Sequence, residues 1–277
     1  MKPTSSTPCA KALAAALRGE REARGVSLRA TAHAIDVDPG MLSFWERALR
    51  TPSVADVGML LGFLQVRREK RERILLLLQH VYDTDWLAPG VAELPEELTG
   101  LLEAEKTATT VTNWENDIIP GLLQTADYAR ALLNESFMSL DEADAVLITR
   151  LNRQKILTQN DPIQLDAIIS ERTIRDPVGS TGVMSDQIDH LLEVSTLPNV
   201  TLRILPTGIG YHPGRMGPFM IYRYDASQPV VFLEHYRGSG FLSNEKDVAD
   251  YLDLAEILDR KALSEDASRE LLAEVLR

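Results

Sequence analysis

Cysteine is almost absent: Cys9 is the one thiol in 277 residues. A single cysteine excludes an intrachain disulfide and fits a reducing compartment, so a cytoplasmic protein is expected. No apolar run approaches the ~20 residues that cross a membrane, and no membrane partner is expected. Met1 to Leu17 carries Lys2, Lys11 and a short Ala/Leu-rich patch, which reads as a tail and a helix rather than a signal peptide. The five histidines (33, 80, 190, 212 and 235) are scattered, and none pairs with Cys9 or another histidine at ligand spacing, so no metal site is expected. There is no Gly-Lys-Ser/Thr phosphate loop and no strand–GxGxxG–helix context, so no cofactor is expected. A Gly-x-Ser-x-Gly nucleophile elbow is also missing, and Arg237-Gly238-Ser239-Gly240 has only a superficial likeness to one. No catalytic residue is assigned, and the chain is not expected to be an enzyme.

Positive charge is scarce overall, with a net charge of −12. The deficit is uneven. From Cys9 to Arg73 twelve Lys/Arg face eight Asp/Glu, whereas the remainder after Lys2 has 16 basic against 33 acidic residues. A mildly basic head on an acidic body suits phosphate contact by one face only. With 44% apolar and 25% charged residues the composition is otherwise that of an ordinary globular protein.

What is present is concentrated in Ser27 to Arg47, which reads as two short helices around a tight turn. Ser27 suits an N-cap, and Leu28, Thr31, Ala32 and Ile35 follow at helical spacing. Asp36 sits at the turn, where left-handed geometry is tolerated. Asp38 suits the cap of the second helix and Pro39 its first position. Leu42 and Trp45 then face inward, which leaves Pro39, Gly40, Ser43, Phe44 and Arg47 outward.

This segment resembles the helix-turn-helix of the Xre/phage-repressor family through Ser27, Ala32, Ile35-Asp36-Val37, Asp38, Leu42, Glu46-Arg47, Arg50 and Pro52. The resemblance implies a second helix lying in the major groove of double-stranded operator DNA, with its first residues at base edges. Those positions here are Asp38, Pro39, Gly40 and Met41, none of them a bidentate base reader. The expected DNA-binding set is Ser27, Arg29, Asp38, Pro39, Gly40, Ser43, Phe44, Arg47 and Arg50. Arg47 and Arg50 suit phosphates, Phe44 suits a thymine methyl, and Arg18, Arg21 and Arg24 are further candidates.

The rest of the chain divides into an all-α head over 8–80, a linker over 81–95 and an α+β body over 96–277. In the head, helix 1 is expected over about Pro8 to Arg24, with Gly25 after it, and Ser53 caps helix 4. Five consecutive apolar residues, Ile74 to Leu78, cannot all face one side of a helix. They are buried within the head, between the domains or in a dimer interface. In the linker, Pro89-Gly90 is a break and Trp86 is available to tuck against one domain. In the body, helices are expected from about Pro95 to Thr110, from Gln124 or Thr125 to Leu133, from Asp141 to Leu157, from Met184 to Thr196, and over Glu245–Leu263 and Ser264–Leu276. Strands are expected over Ile163–Ile169, Val200–Leu205, Pro218–Tyr224 and Val230–His235. Partial segregation of helices and strands gives the α+β class.

A second resemblance spans Glu103 to about Arg260. Trp114-Glu115, Ile119-Pro120-Gly121-Leu122-Leu123-Gln124-Thr125, Tyr128-Ala129-Arg130, Arg150 with Arg153-Gln154, Glu171, Pro198 to Pro206, His212 and Val230 to Glu234 stand in order. Together they resemble the uncharacterised domain that follows an Xre-type helix-turn-helix in many actinomycete regulators. The resemblance implies an effector- or partner-binding domain, in regulators often encoded beside a small acidic protein in an arrangement similar to an antitoxin–toxin pair. The expected pocket residues are Trp114, Gln124, Glu171, His212, Arg215 and Glu234. The Gly-rich stretch Gly208 to Gly217 can close over a small anionic or polar ligand, or be a plain hairpin-like loop. Glu171 and Glu234 either act as an acid/base pair or are strand-end carboxylates held by Arg150, Arg153, Arg172 or Arg175.

These readings converge on a dimeric DNA-binding transcriptional regulator with a sensing domain. One alternative is a protein-interaction module whose helix-turn-helix no longer reads DNA. A weaker one is a hydrolase or transferase built on Glu171, His212 and Glu234.

Overall fold

The computed structural model describes residues 8–79, 81, 85–89, 99–136, 139–225, 227–235 and 238–276. Among the described residues the head has five helices: α1 (Pro8–Glu22), α2 (Leu28–Ala34), α3 (Pro39–Trp45), α4 (Val54–Phe63) and α5 (Arg68–Gln79). They close on one core containing Leu13, Leu17, Ala32, Ile35, Leu42, Trp45, Leu60 and Leu61. Gly25 ends α1 with φ +66°, the left-handed geometry that favours glycine after a helix. Ser53 and Asp56 form a reciprocal capping box on α4. The apolar run of α5 is buried within the head: Ile74 and Leu78 are buried, Leu75 and Leu77 pack at the edge of this core, and Leu76 is exposed.

The body is a mixed sheet flanked by helices, so the chain as a whole is α+β. Among the described residues six of its strands follow Thr99, each reached through the elements that precede it. The chain runs α6 (Thr99–Thr107), β2 (Thr110–Glu115), α7 (Ala126–Asn134), α8 (Leu140–Arg153), β3 (Gln164–Ser170), α9 (Arg172–Arg175), α10 (Thr181–Val194) and β4 (Val200–Leu205). It continues through β5 (Phe219–Arg223), β6 (Val230–His235), β7 (Gly238–Leu242), α11 (Glu245–Lys261) and α12 (Glu265–Val275). A seventh strand, β1 (Asp85–Pro89), precedes them, and the order across the sheet is β1-β7-β6-β5-β2-β3-β4.

β1 falls inside the linker expected at 81–95. Asp85 to Pro89 pairs antiparallel with Gly238 to Leu242 as the outer strand, an edge where proline is tolerated. Residues 90–95 of that linker, the start of the next helix near Pro95 and the side chain of Trp86 lie outside the described residues. Two more strands depart from expectation: β2, which lies inside the sheet, and β7, a Gly-Ser-Gly-Phe-Leu strand of low intrinsic strand preference.

β2, β3 and β4 run parallel, while β2–β5 and all pairs beyond it are antiparallel. Alternation along the strands sorts two layers. Val111, Leu165, Ala167, Ile169, Leu202, Ile204, Tyr222 and Phe232 face the layer that includes Tyr128, Leu191 and Leu272. Trp114, Ile168, Leu205, Phe219, Ile221 and Val231 face the layer under α11, around Leu258. Between α6 and α8, the buried Arg153–Glu105 ion pair closes at 2.7 Å.

The far edge, β4, is blunted from within. The Ile204 N–H donates to Ser268 Oγ at 2.9 Å, and the Leu263 N–H donates to the Ile204 carbonyl at 2.9 Å. Both outward groups of that residue are therefore satisfied, as an edge requires. Ser268 is wholly buried. Ser268→Ala is expected to strand the Ile204 N–H and cost about 1–3 kcal/mol, read as a lower urea midpoint; an unchanged midpoint would remove the edge-sealing role.

Candidate DNA interface and candidate ligand cavity

The helix-turn-helix is built from side chains that cap backbone. Ser27 Oγ accepts from the Ala30 N–H at 3.2 Å, and Asp36 takes φ +54° at the turn. Asp38 Oδ1 accepts from the Gly40 and Met41 N–H groups at 2.8 and 3.2 Å. A Cβ at residue 40 would stand 2.8 Å from that oxygen, so glycine is what leaves the cap room. Asp38 thus serves the helix, and Pro39 takes the first helical position, where its missing N–H costs nothing.

The far end of α3 is tied to α1 by a forked ion pair. Arg21 Nε and Nη2 donate to the two Glu46 oxygens at 2.6 and 2.7 Å, and Arg21 Nη1 donates to the Val26 carbonyl at 3.1 Å. The two side chains are 11% and 4% exposed. Arg21, expected as a further DNA contact, is therefore internal. Arg24 pairs with Glu20 at 2.7 Å, and Arg18 pairs with Glu103 of α6 at 3.4 Å.

The surface left to DNA is compact. Ser27, Arg29, Asp38, Pro39, Gly40, Arg47 and Arg50 are exposed, and Ser43 and Phe44 are half-buried. Arg47 Nε donates to the Ser43 carbonyl at 3.2 Å. The Arg47 and Arg50 guanidiniums each sit 5.6 Å from the Phe44 ring centroid, and Arg50 also reaches Met41 Sδ at 3.9 Å. Phe44 therefore holds two cations side by side through its ring, where a thymine contact had been expected.

Arg47 also lines a cleft of about 480 Å³ between head and body, with Lys11, Arg18, Glu103, Tyr224 and Asp225. The Lys11 ammonium lies 4.3 Å over the Tyr224 ring. Burial pulls its pKa down, partly countered by Glu103.

The expected pocket residues separate into three places. Trp114, His212 and Arg215 share a cavity of about 380 Å³ with Asp117, Arg172 and Thr207. Trp114 Nε1 donates to the Gly214 carbonyl at 2.8 Å, and its ring meets His212 edge-on, with centroids 5.8 Å apart. Glu171 stands just behind: its carboxylate accepts from the Thr207 N–H and hydroxyl at 2.7 and 2.8 Å and from Arg175 Nε at 2.5 Å. Burial works to raise its pKa, but those bonds hold it below the usual range. It is a strand-end carboxylate that fixes the loop.

Gln124 does not reach this cavity. Its Nε2 donates to the Ile119 carbonyl at 2.7 Å and its Oε1 accepts from Arg150 at 2.5 Å, so it braces the segment before α7. Glu234 lines a different groove of about 540 Å³, with Met216, Leu233, Asp250, Tyr251 and Leu254. Glu171, His212 and Glu234 are therefore not assembled around one cavity. Near Glu234 lies Glu115, a residue not among those expected: burial, then the Glu234 charge, pushes its carboxyl up to about 8. Arg172, Asp117 and Thr207 were likewise missing from the expected set. They follow the ends of β3, β2 and β4, a signal that needs the strand order to be seen.

Against known families, residues 17–70 match a Helix-turn-helix family model and residues 98–274 match the Domain of unknown function (DUF5753). None of the curated proteins matches the chain. Among solved structures, TrmBL2, an archaeal chromatin protein described as showing a novel mode of DNA binding, has 12% identity and a TM-score of 0.31 over 74% of this chain. The match spans 66% of that protein's length, and at that TM-score the likeness bears on neither fold nor function. The capped, braced head and its family match define a DNA-binding regulator of the Xre-type helix-turn-helix class. By its larger part, residues 98–274, the chain belongs to the DUF5753 family.

The Arg21–Glu46 brace sets the pose of α3, so Glu46→Ala is expected to destabilise the head by about 3–5 kcal/mol, the usual cost of leaving one member of a buried pair. A chemical denaturation curve measures it; a loss below about 1 kcal/mol, the value of an exposed pair, would remove the bracing role.

Proposed function

We propose that the protein is a cytoplasmic transcriptional regulator that binds a near-palindromic operator as a homodimer through Ser27–Arg50. Its C-terminal domain would sense a small ligand or a small acidic partner protein. The observation that carries the DNA reading is the outward cluster of Phe44, Arg47 and Arg50, held in place by Arg21–Glu46 behind it. Both guanidiniums suit phosphates, contacts that fix register but read no base. Selectivity then falls to Ser43, to DNA shape and to half-site spacing of ~34 Å or its multiples. The shared cleft at Arg47 supports coupling, because one wall belongs to the sensing domain.

A second copy has a suitable face in α4. Met59 and Phe63 are exposed there, and nothing lies within 4 Å of a Cβ built on Gly58 or Gly62. Apolar knobs beside glycine gaps are self-complementary, as a two-fold interface requires. The competing reading, an interaction module that has lost DNA binding, draws on Asp38-Pro39-Gly40-Met41, a first turn with no bidentate base reader.

A gel shift with DNA from upstream of its own operon tests the reading. Salt-sensitive binding is expected, and Arg47→Ala should weaken all sequences alike and lower the salt slope by about one. Absence of binding at low ionic strength, with a small acidic protein co-purifying, would overturn it for the second reading. Phe63→Glu is expected to shift the chain to monomer in sedimentation; an unchanged dimer would move the interface off α4.

A further inference from the structure

We propose that the cavity at the carboxyl ends of β2, β3 and β4 binds the anionic head, carboxylate or phosphate, of a small organic acid. The inference rests on the ligand-sensing reading of the C-terminal domain and names the chemistry of its ligand.

Position is the first support. The three strands are parallel, and the residues just beyond their ends line the cavity: Asn116 and Asp117, Arg172, and Pro206 to Gly208. At β2 the sheet reverses direction, since β2 is parallel to β3 and antiparallel to β5. The carboxyl ends of the three parallel strands themselves open on one edge of the sheet, the side on which open α/β sheets hold their ligands.

Charge is the second. Arg172 is already matched by Asp176 at 2.9 Å and Asp117 at 3.6 Å. Arg215 lines the cavity, and the Arg215 and Lys261 charges both act on His212. Neither cation has a carboxylate partner among the described residues. The surplus at the cavity is therefore positive and available.

His212 is the third. It is 7% exposed, its ring lines the cavity, and its Nδ1 is buried without a hydrogen-bond partner. Buried polar atoms are nearly always paired; this nitrogen, 3.1 Å from where a Cβ on Gly214 would stand, leaves the loop that carries Arg215 one hydrogen bond short, a loop that a bound ligand can complete by a small shift. Burial and then the two cations pull its pKa down, which leaves a neutral imidazole with one donor and one acceptor. Trp114, Leu205 and Ile209 supply apolar wall for the body of the molecule, while Arg215 takes the head.

The test titrates the full-length chain with acetate, with inorganic phosphate and with trimethylammonium, by calorimetry and by the imidazole NMR signals of His212. Acetate or phosphate is expected to bind and shift those signals, which separates a carboxylate head from a phosphate head, whereas trimethylammonium should do neither. Arg215 is exposed, so Arg215→Ala keeps the fold; it should weaken binding by at least about tenfold, the loss of one charge-assisted bond, and Arg215→Lys should restore most of it. If neither oxyanion binds, or if Arg215→Ala binds as tightly as the parent, the inference is overturned. A parallel gel shift of the unaltered chain separates the two readings, since retained DNA binding alongside those negative results sinks only the anion site.

Discussion

The body of this protein depends on one constraint, the double allegiance of β2. It pairs in parallel with β3 on one side and antiparallel with β5 on the other. Both of its faces are covered, so Val111 joins one apolar layer and Trp114 the other. Ending at the reversal, it delivers Trp114 to the cavity wall and leaves Glu115 buried next to the charge of Glu234. A carboxyl there is favoured neutral, because burial penalises its charged form. The strand that organises the sheet thus also places polar groups in its interior, a combination that close surrounding packing sustains.

In the head, Asp38, at a position expected to face bases, is committed to backbone. Asp38 accepts two amides of α3, and Gly40 makes room for it. Exposed positive charge lies at the other end of the helix, where one aromatic ring gathers two arginines. Arg21, equally basic in composition, is spent inside on Glu46. The even-looking surplus of positive charge in the head therefore narrows to a small outward set, and a charge count overstates what faces a phosphate.

How much of this was legible in the sequence differs between the halves. The caps at Ser27, Asp38 and Ser53, the turn at Asp36 and the inward Leu42 and Trp45 could be read because each is decided within a few residues. β4 and β6 could be read because short runs rich in valine, isoleucine and leucine signal strands. β2 could not: its Thr-Val-Thr-Asn-Trp-Glu is buried on both sides, which erases the period-two alternation. β7 was hidden by its glycines and β1 by its proline. Without β2 the parallel trio is invisible, and with it the reason that Arg172, Asp117 and Thr207 meet. Gln124 reads as a pocket residue in the sequence because nothing local tells a glutamine that lines a cavity from one that bonds to its own neighbouring backbone. Arg21 and Glu46 lie 25 residues apart, and no spacing rule joins them.

The strand at Asp85–Pro89 carries a last consequence. Residues 85–89, between head and body, are stitched into the sheet through β7, and α1 leans on α6 through Arg18 and Glu103. In the proposed dimer joined through α4, the two bodies would therefore hang from the paired heads as stiff arms rather than as trailing weights.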